Sequence, residues 1–377
     1  MATLDTQPIK PYFDQPAVMP RVAAEHGRTM GGQLRDILRY CVGGNKLAAE
    51  EYYNLRLFDG AIERAEKKRF VGVFKSTQIW DAMMAVNPWL DTIRDKVACE
   101  LMLREHGVAG PRTLAVTGRD YPEDRPTRLD TPETFAMFLR GAKYPIFAKP
   151  LLELRSVGTA RLEGVEGDAV RLSDGRTMTF DALWSEIHDH FDGKFVFQEC
   201  LAPHAEMAPL SPGGLPTLRV LTLDAGDGPA VHRVVAKLSA GGNVADNFWR
   251  EGNMLAAVDS ETGVMDAAVT AYGLDRERRA AHPETGAAIE GARYPMFDEA
   301  IALALKAARA MPGSVIMGFD VAITANGPIV LEINESPDLM MLQIASDRGV
   351  LDERMRAALA HAEAQAKAGA KEAAKAA

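Results

Sequence analysis

The chain has little cysteine, no long apolar run and no basic stripe, and each shortage removes a class of protein. Its three cysteines, Cys41, Cys99 and Cys200, stand far apart with no CxxC and no histidine at ligand spacing. Neither a disulfide framework nor a zinc site is therefore expected, and the thiols read as small apolar residues. No apolar run approaches the roughly 20 residues that span a bilayer. The opening, MATLDTQPIKPYFDQP, is polar and proline-containing rather than signal-like, so the expected compartment is the cytoplasm. A formal charge of -9, with acids and bases mixed along the chain, offers nothing for a nucleic-acid backbone to bind. No Ser-His-Asp or catalytic-cysteine arrangement, Walker P-loop or GxGxxG after a strand is present.

What is there suits a large globular protein. The chain has 377 residues, 47% hydrophobic and 25% charged, enough for two or three lobes. Residues 20–70 carry helical periodicity, with Leu34, Ile37, Leu38 and Cys41 on one stripe and Ala48, Tyr52, Leu55 and Phe58 on the next. This predicts a mainly helical lobe over 1–94. Asp95 to Gly107 reads as a further helix, closed by Gly107. Short alternating runs at 144–150, 194–201, 216–223 and 231–239 lie too close together for βαβ crossovers, which predicts antiparallel sheets and an α+β class. A helix is expected near 297–310 and another from about 350. The end, from 359 to 377, is an Ala/Lys/Glu-rich helical or disordered tail.

The most informative segment is GFDVAITANGPIVLEINESPD, residues 318–338. Phe319, Val321 and Ile323 share one face of the first strand, and Ile329, Leu331 and Ile333 share one face of the second. Their coincidence calls for a three-residue loop, Ala325-Asn326-Gly327, with Gly327 left-handed, and sets Asp320 opposite Glu332. The other face then gathers Asp320, Glu332 and Asn334. Adjacent carboxylates repel unless a cation sits with them, and oxygen-only ligands suit Mg²⁺. A solvated polar face is the alternative reading.

These residues resemble the Mg-ATP site of the ATP-grasp superfamily, and other segments agree in order. Asp95-Lys96 with Gly107 and Pro111 is similar to the entry of an ATP-grasp domain. Tyr144-Pro-Ile-Phe-Ala-Lys149-Pro150 resembles the strand whose lysine meets ATP phosphates, and Phe197-Gln198-Glu199-Cys200-Leu201 the hinge strand that reads adenine. The stretches EYY…LRLFDG (51–60), PLSPGGLPTLRVLTL (209–223), DNFWREGN (246–253) and EINESPDLMMLQ with Gly349 most resemble sugar-transfer-associated ATP-grasp proteins, over about 30–355.

The resemblance implies two α+β lobes with ATP between them, an ATP-grasp domain over 95–358, and ATP with Mg²⁺, or Mn²⁺ in its place, as cofactors. Lys149 would meet phosphates. Gln198, Glu199 and Leu201 would hold adenine, the last two through backbone groups. The loop after the lysine strand carries one glycine, Gly158, where several are usual, so Arg155 or Ser156 would supply donors or the loop is a plain surface loop. Arg219, a charge in an alternating apolar strand, needs an anion, for which phosphate or a substrate carboxylate is the obvious partner; a solvent-side arginine is the alternative. Lys237 and Asn247 carry weaker versions of that expectation. His204 and Glu206 would reach ribose or substrate, or stay solvated.

The implied reaction is a carboxylate-amine ligation through an acyl phosphate, with Asp320, Glu332 and Asn334 on the metal and Arg219 and Lys149 catalytic. A phosphotransferase acting on a hydroxyl and a non-catalytic nucleotide-binding protein are the competing readings. Expected partners are small-molecule carboxylates and amines, with no nucleic acid and no membrane span. A homodimer is admissible, and the subgroup's name hints at glycan or secondary-metabolite assembly.

Overall fold

The computed structural model describes residue 4 and residues 18–121, 126–152, 158–212, 214–240, 243 and 246–376. Helices lead the chain: α1 (Val18–His26), α2 (Met30–Val42), α3 (Glu51–Asn54), α4 (Arg64–Lys67), α5 (Val73–Met84), α6 (Leu90–Arg94) and α7 (Lys96–Glu105). Next come β1 (Thr113–Val116), β2 (Thr127–Arg128), α8 (Pro132–Gly141), β3 (Ile146–Pro150), β4 (Ala160–Glu166), β5 (Ala169–Leu172), β6 (Thr177–Thr179), α9 (Phe180–His190) and β7 (Phe195–Glu199). The remainder is β8 (Thr217–Asp224), β9 (Pro229–Leu238), β10 (Met254–Val258), β11 (Ala268–Val269), β12 (Arg278–Arg279), α10 (Phe297–Arg309), β13 (Ile316–Thr324), β14 (Gly327–Asn334), α11 (Leu339–Ser346) and α12 (Glu353–Ala376). These elements form two compact units, one from the described residues of 1–8 and 91–202, the other from those of 9–90 and 203–377.

The first unit holds a seven-stranded sheet in the order β2-β1-β7-β3-β4-β5-β6, antiparallel except for the β1–β2 pair. The α8 helix starts where Thr131 and Thr134 cap each other reciprocally, with Pro132 in the first turn. Phe135 and Leu139 of α8 and Leu183 and Ile187 of α9 share a core with Ile146, Ala148, Phe195 and Phe197. Because side chains alternate along β3, burying Ile146 and Ala148 turns Phe147 and Lys149 to the opposite face.

The second unit's sheet runs β12-β11-β10-β9-β8-β13-β14, antiparallel throughout. The α10 helix packs on β8, β9, β13 and β14. The face carrying Leu221, Leu223, Val235 and Leu255 is covered by α11, α12 and the N-terminal helices, through Tyr52, Phe58, Phe70, Leu342 and Met355. Residues far apart in sequence thus close one core, and β13 is buried along its whole length. The α+β class with antiparallel-rich sheets and a helical N-terminal region is what the sequence predicts.

One helix is turned the other way. The apolar stripe of α2 does not face the core: Leu34 is 57% and Leu38 64% exposed, with Ile37 and Cys41 only half-buried. The buried residues are Gln33, Asp36 and Tyr40. They can be buried because their polar groups are satisfied. Gln33 donates to the Met19 and Arg28 carbonyls and accepts from the Tyr53 hydroxyl, Asp36 is held by Arg28 and Arg39, and Tyr40 stacks on Tyr52.

Candidate functional site

The hairpin β13–β14 sets Asp320 opposite Glu332 as expected, but by a different route: Phe319 meets Ile333, whereas Ile329 falls opposite Ala322 and Val330 opposite Val321, so the two apolar sets do not coincide nearer the turn. Thr324 pairs with Gly327 around a two-residue turn, Ala325-Asn326, and not around the expected three-residue loop. Gly327, at φ +104°, still takes the left-handed region. The missing residue of offset is supplied by a bulge in β14 next to Asp320. The strand alternation beyond it leaves Asp320, Glu332 and Asn334 on one side.

Asp320 sits opposite Arg219 of β8 in the ladder on its other edge, and Thr217 of β8 sits opposite Lys237 of β9. The register therefore puts Arg219, Lys237 and Asp320 on the face whose continuation is the apolar core at Leu221, Leu223 and Val235. Arg219 donates to Asp320 twice, Nε to Oδ1 at 2.5 Å and Nη2 to Oδ2 at 3.0 Å. Lys237 Nζ donates to Asp320 Oδ2 at 3.1 Å and to Asp246 Oδ1 at 3.0 Å, and Thr217 donates to the other oxygen of Asp246. Two cations and two carboxylates thus balance.

All three of Arg219, Lys237 and Asp320 are buried. Burial pushes the Asp320 carboxyl up, but Arg219 and Lys237 outweigh it and hold the group well below the usual carboxylate range. Burial likewise pulls Arg219 and Lys237 down, while Asp320 for the first and Asp246 with Asp320 for the second carry them above their ordinary values. Arg219, Lys237 and Asp320 thus each favour the ionised form. The anion that Arg219 meets is therefore Asp320, a residue of the chain itself, where phosphate or substrate was the sequence expectation.

Glu332 is half-buried and Asn334 has a buried amide nitrogen with no partner among the described residues. The Glu332 carboxylate and the Asn334 side-chain oxygen are ligands of the kind a hard divalent ion accepts, while the unpartnered Asn334 N–H is a donor and suits an acceptor such as a phosphate oxygen. Asp320 differs: both its oxygens are already taken by cations. Among the described residues no group of three acidic, His or Cys side chains is spaced to hold an ion. The fit to Mg²⁺ thus rests on Glu332 and Asn334, with Asp320 acting first as counter-ion to Arg219 and Lys237.

The other expected residues are placed as follows. In the first unit, Lys149 is half-buried on β3, opposite Val196. Gln198 is buried and donates to Thr113 Oγ1 at 3.2 Å, and Glu199 Oε1 accepts the Arg112 backbone N–H at 2.9 Å. Leu201 follows, half-buried. A cleft of about 600 Å³ opens beside Glu199 and Cys200, lined also by Arg112, Phe138 and Tyr144. Arg155 and Ser156 lie outside the described residues. In the second unit, the His204 N–H donates to the Ile323 carbonyl at 2.9 Å, and the exposed Glu206 donates its N–H to His204 Nδ1 at 3.3 Å. Asn247 is fixed by Asn253, whose amide donates to its carbonyl at 2.7 Å.

Asp246 is the residue that sequence reasoning passed over. It is the acid immediately before Asn247 in DNFWREGN, and the buried charge of Lys237 on the neighbouring strand was the signal that an anion had to be near. Asp338 is a second such residue. It caps α11 through Met340 and receives the Trp249 indole N–H at 3.0 Å.

Residues 177–358 match the family described as sugar-transfer associated ATP-grasp. That match makes the segment from β6 into α12 ATP-grasp in class. Within that class it is of the sugar-transfer associated kind. No curated protein matches the chain. Among solved structures, N5-carboxyaminoimidazole synthase from Aspergillus clavatus is similar at 14% identity and a TM-score of 0.41, over 73% of this chain and 54% of that one. D-alanine–D-alanine ligase from Bacillus anthracis is similar at 14% identity and a TM-score of 0.40, over 74% and 69%. L-amino acid ligase from Bacillus licheniformis follows at 11% identity and a TM-score of 0.38, over 72% and 48%. The chain spans about half the length of the first of these.

Proposed function

We propose that the chain is an ATP-dependent ligase that joins a carboxylate to an amine through an acyl phosphate, with an ATP-grasp domain over residues 95–358. The observation that carries this reading is the buried Arg219–Asp320–Lys237–Asp246 network with Glu332 and Asn334 beside it, all inside the segment that matches the family.

Phosphoryl transfer asks a protein mainly for positioning and for charge where charge gathers. Arg219 and Lys237 are cations held rigidly by Asp320 and Asp246, so their donors are fixed before any substrate arrives. Glu332 and Asn334 would hold Mg²⁺, which when bound neutralises phosphate oxygens. Lys149 would supply a further cation to the phosphates, and Gln198, Glu199 and Leu201 would seat the base. His204, Glu206 and Asn247 fall to ribose and substrate. No protein group need attack covalently. The carboxylate takes the terminal phosphoryl group, ADP leaves, and an amine then displaces inorganic phosphate to form the amide. Glycan or secondary-metabolite assembly is the setting proposed for this reaction.

The test is release of ADP and inorganic phosphate from Mg-ATP with pooled amino acids, small carboxylates and sugars, comparing the natural protein with Glu332→Ala. Joint release that depends on both the pool and Glu332 supports the ligase. ADP without free phosphate would replace it with transfer to a hydroxyl, and ATP bound but never cleaved would leave a nucleotide-binding protein.

A further inference from the structure

The inverted helix α2 carries an inference separate from catalysis. Met30, Leu34, Leu38 and Val42 recur every four residues along its outer side and are 54%, 57%, 64% and 75% exposed. The start of α5 adds Val73 and Phe74, both exposed. The two segments are tied together: the Gly72 N–H donates to the Asn45 carbonyl at 3.0 Å, and a Cβ on Gly72 would lie 2.3 Å from Leu47 Cα. The end of α2 thus lies near the start of α5, and six of the nine large apolar side chains exposed among the described residues belong to these two segments of the second unit. Single exposed leucines are ordinary, whereas a row of them beside a second cluster marks a contact surface.

The charges at this corner select the occupant. On α2 the exposed charges are Arg35 and Arg39, and the helix's one acid, Asp36, is buried under Arg28 and Arg39. A second copy of this helix would bring two more arginines and no exposed acid of its own to answer them. The side chains also project, each of the four on α2 being more than half exposed, which is the shape of a ridge and not of a groove that grips a partner's side chain. Apolar residues on one side and arginines along the edge are what a helix lying in a lipid interface presents to acyl chains and anionic headgroups. No helix of the described residues is long and apolar enough to cross a membrane, so the contact would be from one side.

We infer that the α2–α5 corner seats the protein on an anionic lipid surface, with Leu34 and Leu38 entering the acyl boundary and Arg35 and Arg39 meeting the headgroups. The experiment is co-sedimentation of the full chain with vesicles of phosphatidylcholine alone and of phosphatidylcholine mixed with phosphatidylglycerol. The natural protein is expected to bind the mixed vesicles, more strongly at low salt than at high, and to bind the neutral ones weakly. Leu34→Asp with Leu38→Asp should lower the bound fraction about tenfold or more, and Arg35→Glu should lower it on the mixed vesicles only. These side chains are exposed, so unchanged thermal unfolding is expected of both variants. Equal binding of the leucine variant and the natural protein, or no binding to the mixed vesicles, overturns the inference. A leucine variant that changes the mass in solution and not the vesicle binding would replace it with a contact between copies.

Discussion

Arg219 and Asp320 face each other across the β8–β13 ladder, and the guanidinium grips both oxygens of the carboxylate inside the sheet's covered face. Removing one partner of such a buried pair leaves the other charged and unanswered. Asp320→Asn strands the buried Arg219, while Lys237 keeps Asp246, and is expected to cost about 3 to 5 kcal/mol in urea unfolding. The double variant Arg219→Met with Asp320→Leu should recover much of that loss, because Lys237 keeps Asp246.

Gly349 lets the segment after α11 cross residues 69 and 70 at close range. A Cβ there would fall 2.1 Å from the Arg69 carbonyl carbon and 2.3 Å from the Phe70 nitrogen, both backbone. The approach is fixed by Leu351 donating to the Arg69 carbonyl at 2.9 Å and Gly349 to Glu66 Oε1 at 2.8 Å. Gly349→Ala should therefore cost about 3 kcal/mol in the same titration, with no side-chain movement available to relieve it.

How much of this the sequence disclosed follows from what kind of signal each part leaves. The Asp320–Glu332 pairing was legible from the alternation that sets Phe319 against Ile333, whereas nearer the turn the register differs by one residue, with Ala322 opposite Ile329, which β13 tolerates because it is buried on both faces. The turn that delivers the pairing was not legible, since a loop residue and a bulge give the same offset beyond them. Arg219 could be seen to need an anion, but which anion depends on a strand a hundred residues later. The outward face of α2 was hidden for a related reason. Periodicity shows that a stripe exists, and only the partners of Gln33, Asp36 and Tyr40 decide that the opposite side is buried.

Glu51 gives stability a dependence on pH of unusual sign. Burial pushes its carboxyl up to about 7, against the lowering effect of the Ala48 and Val73 N–H groups that it accepts. A raised carboxyl favours the folded state while protonated, so its contribution is present below about 4.5 and is lost as pH rises through about 7. At about 1.4 kcal/mol per unit the loss is on the order of 3 kcal/mol. Glu51→Gln should remove this falling component from unfolding titrations run across the window.

His232 contributes the opposite slope. Burial, with Arg233 adding to it, pulls the imidazole down to about 4, with Nε2 3.2 Å from the Val350 carbonyl. A depressed histidine stabilises the fold while neutral, so its contribution is present above about 6.5 and is lost as pH falls through about 4. The two groups nearly cancel where their windows overlap. Glu51→Gln should leave stability rising with pH there, and His232→Gln should leave it falling.

The claim at the centre is that a carboxylate oxygen, and not a hydroxyl, receives the phosphoryl group. Once the pool assay has isolated a carboxylate that drives ADP release, the direct measurement is to label its oxygens with ¹⁸O, add the amine, and read the mass of the released phosphate. An acyl phosphate leaves one labelled oxygen in inorganic phosphate for each amide formed. Unlabelled phosphate, or a phosphorylated product with no free phosphate, would contradict the account.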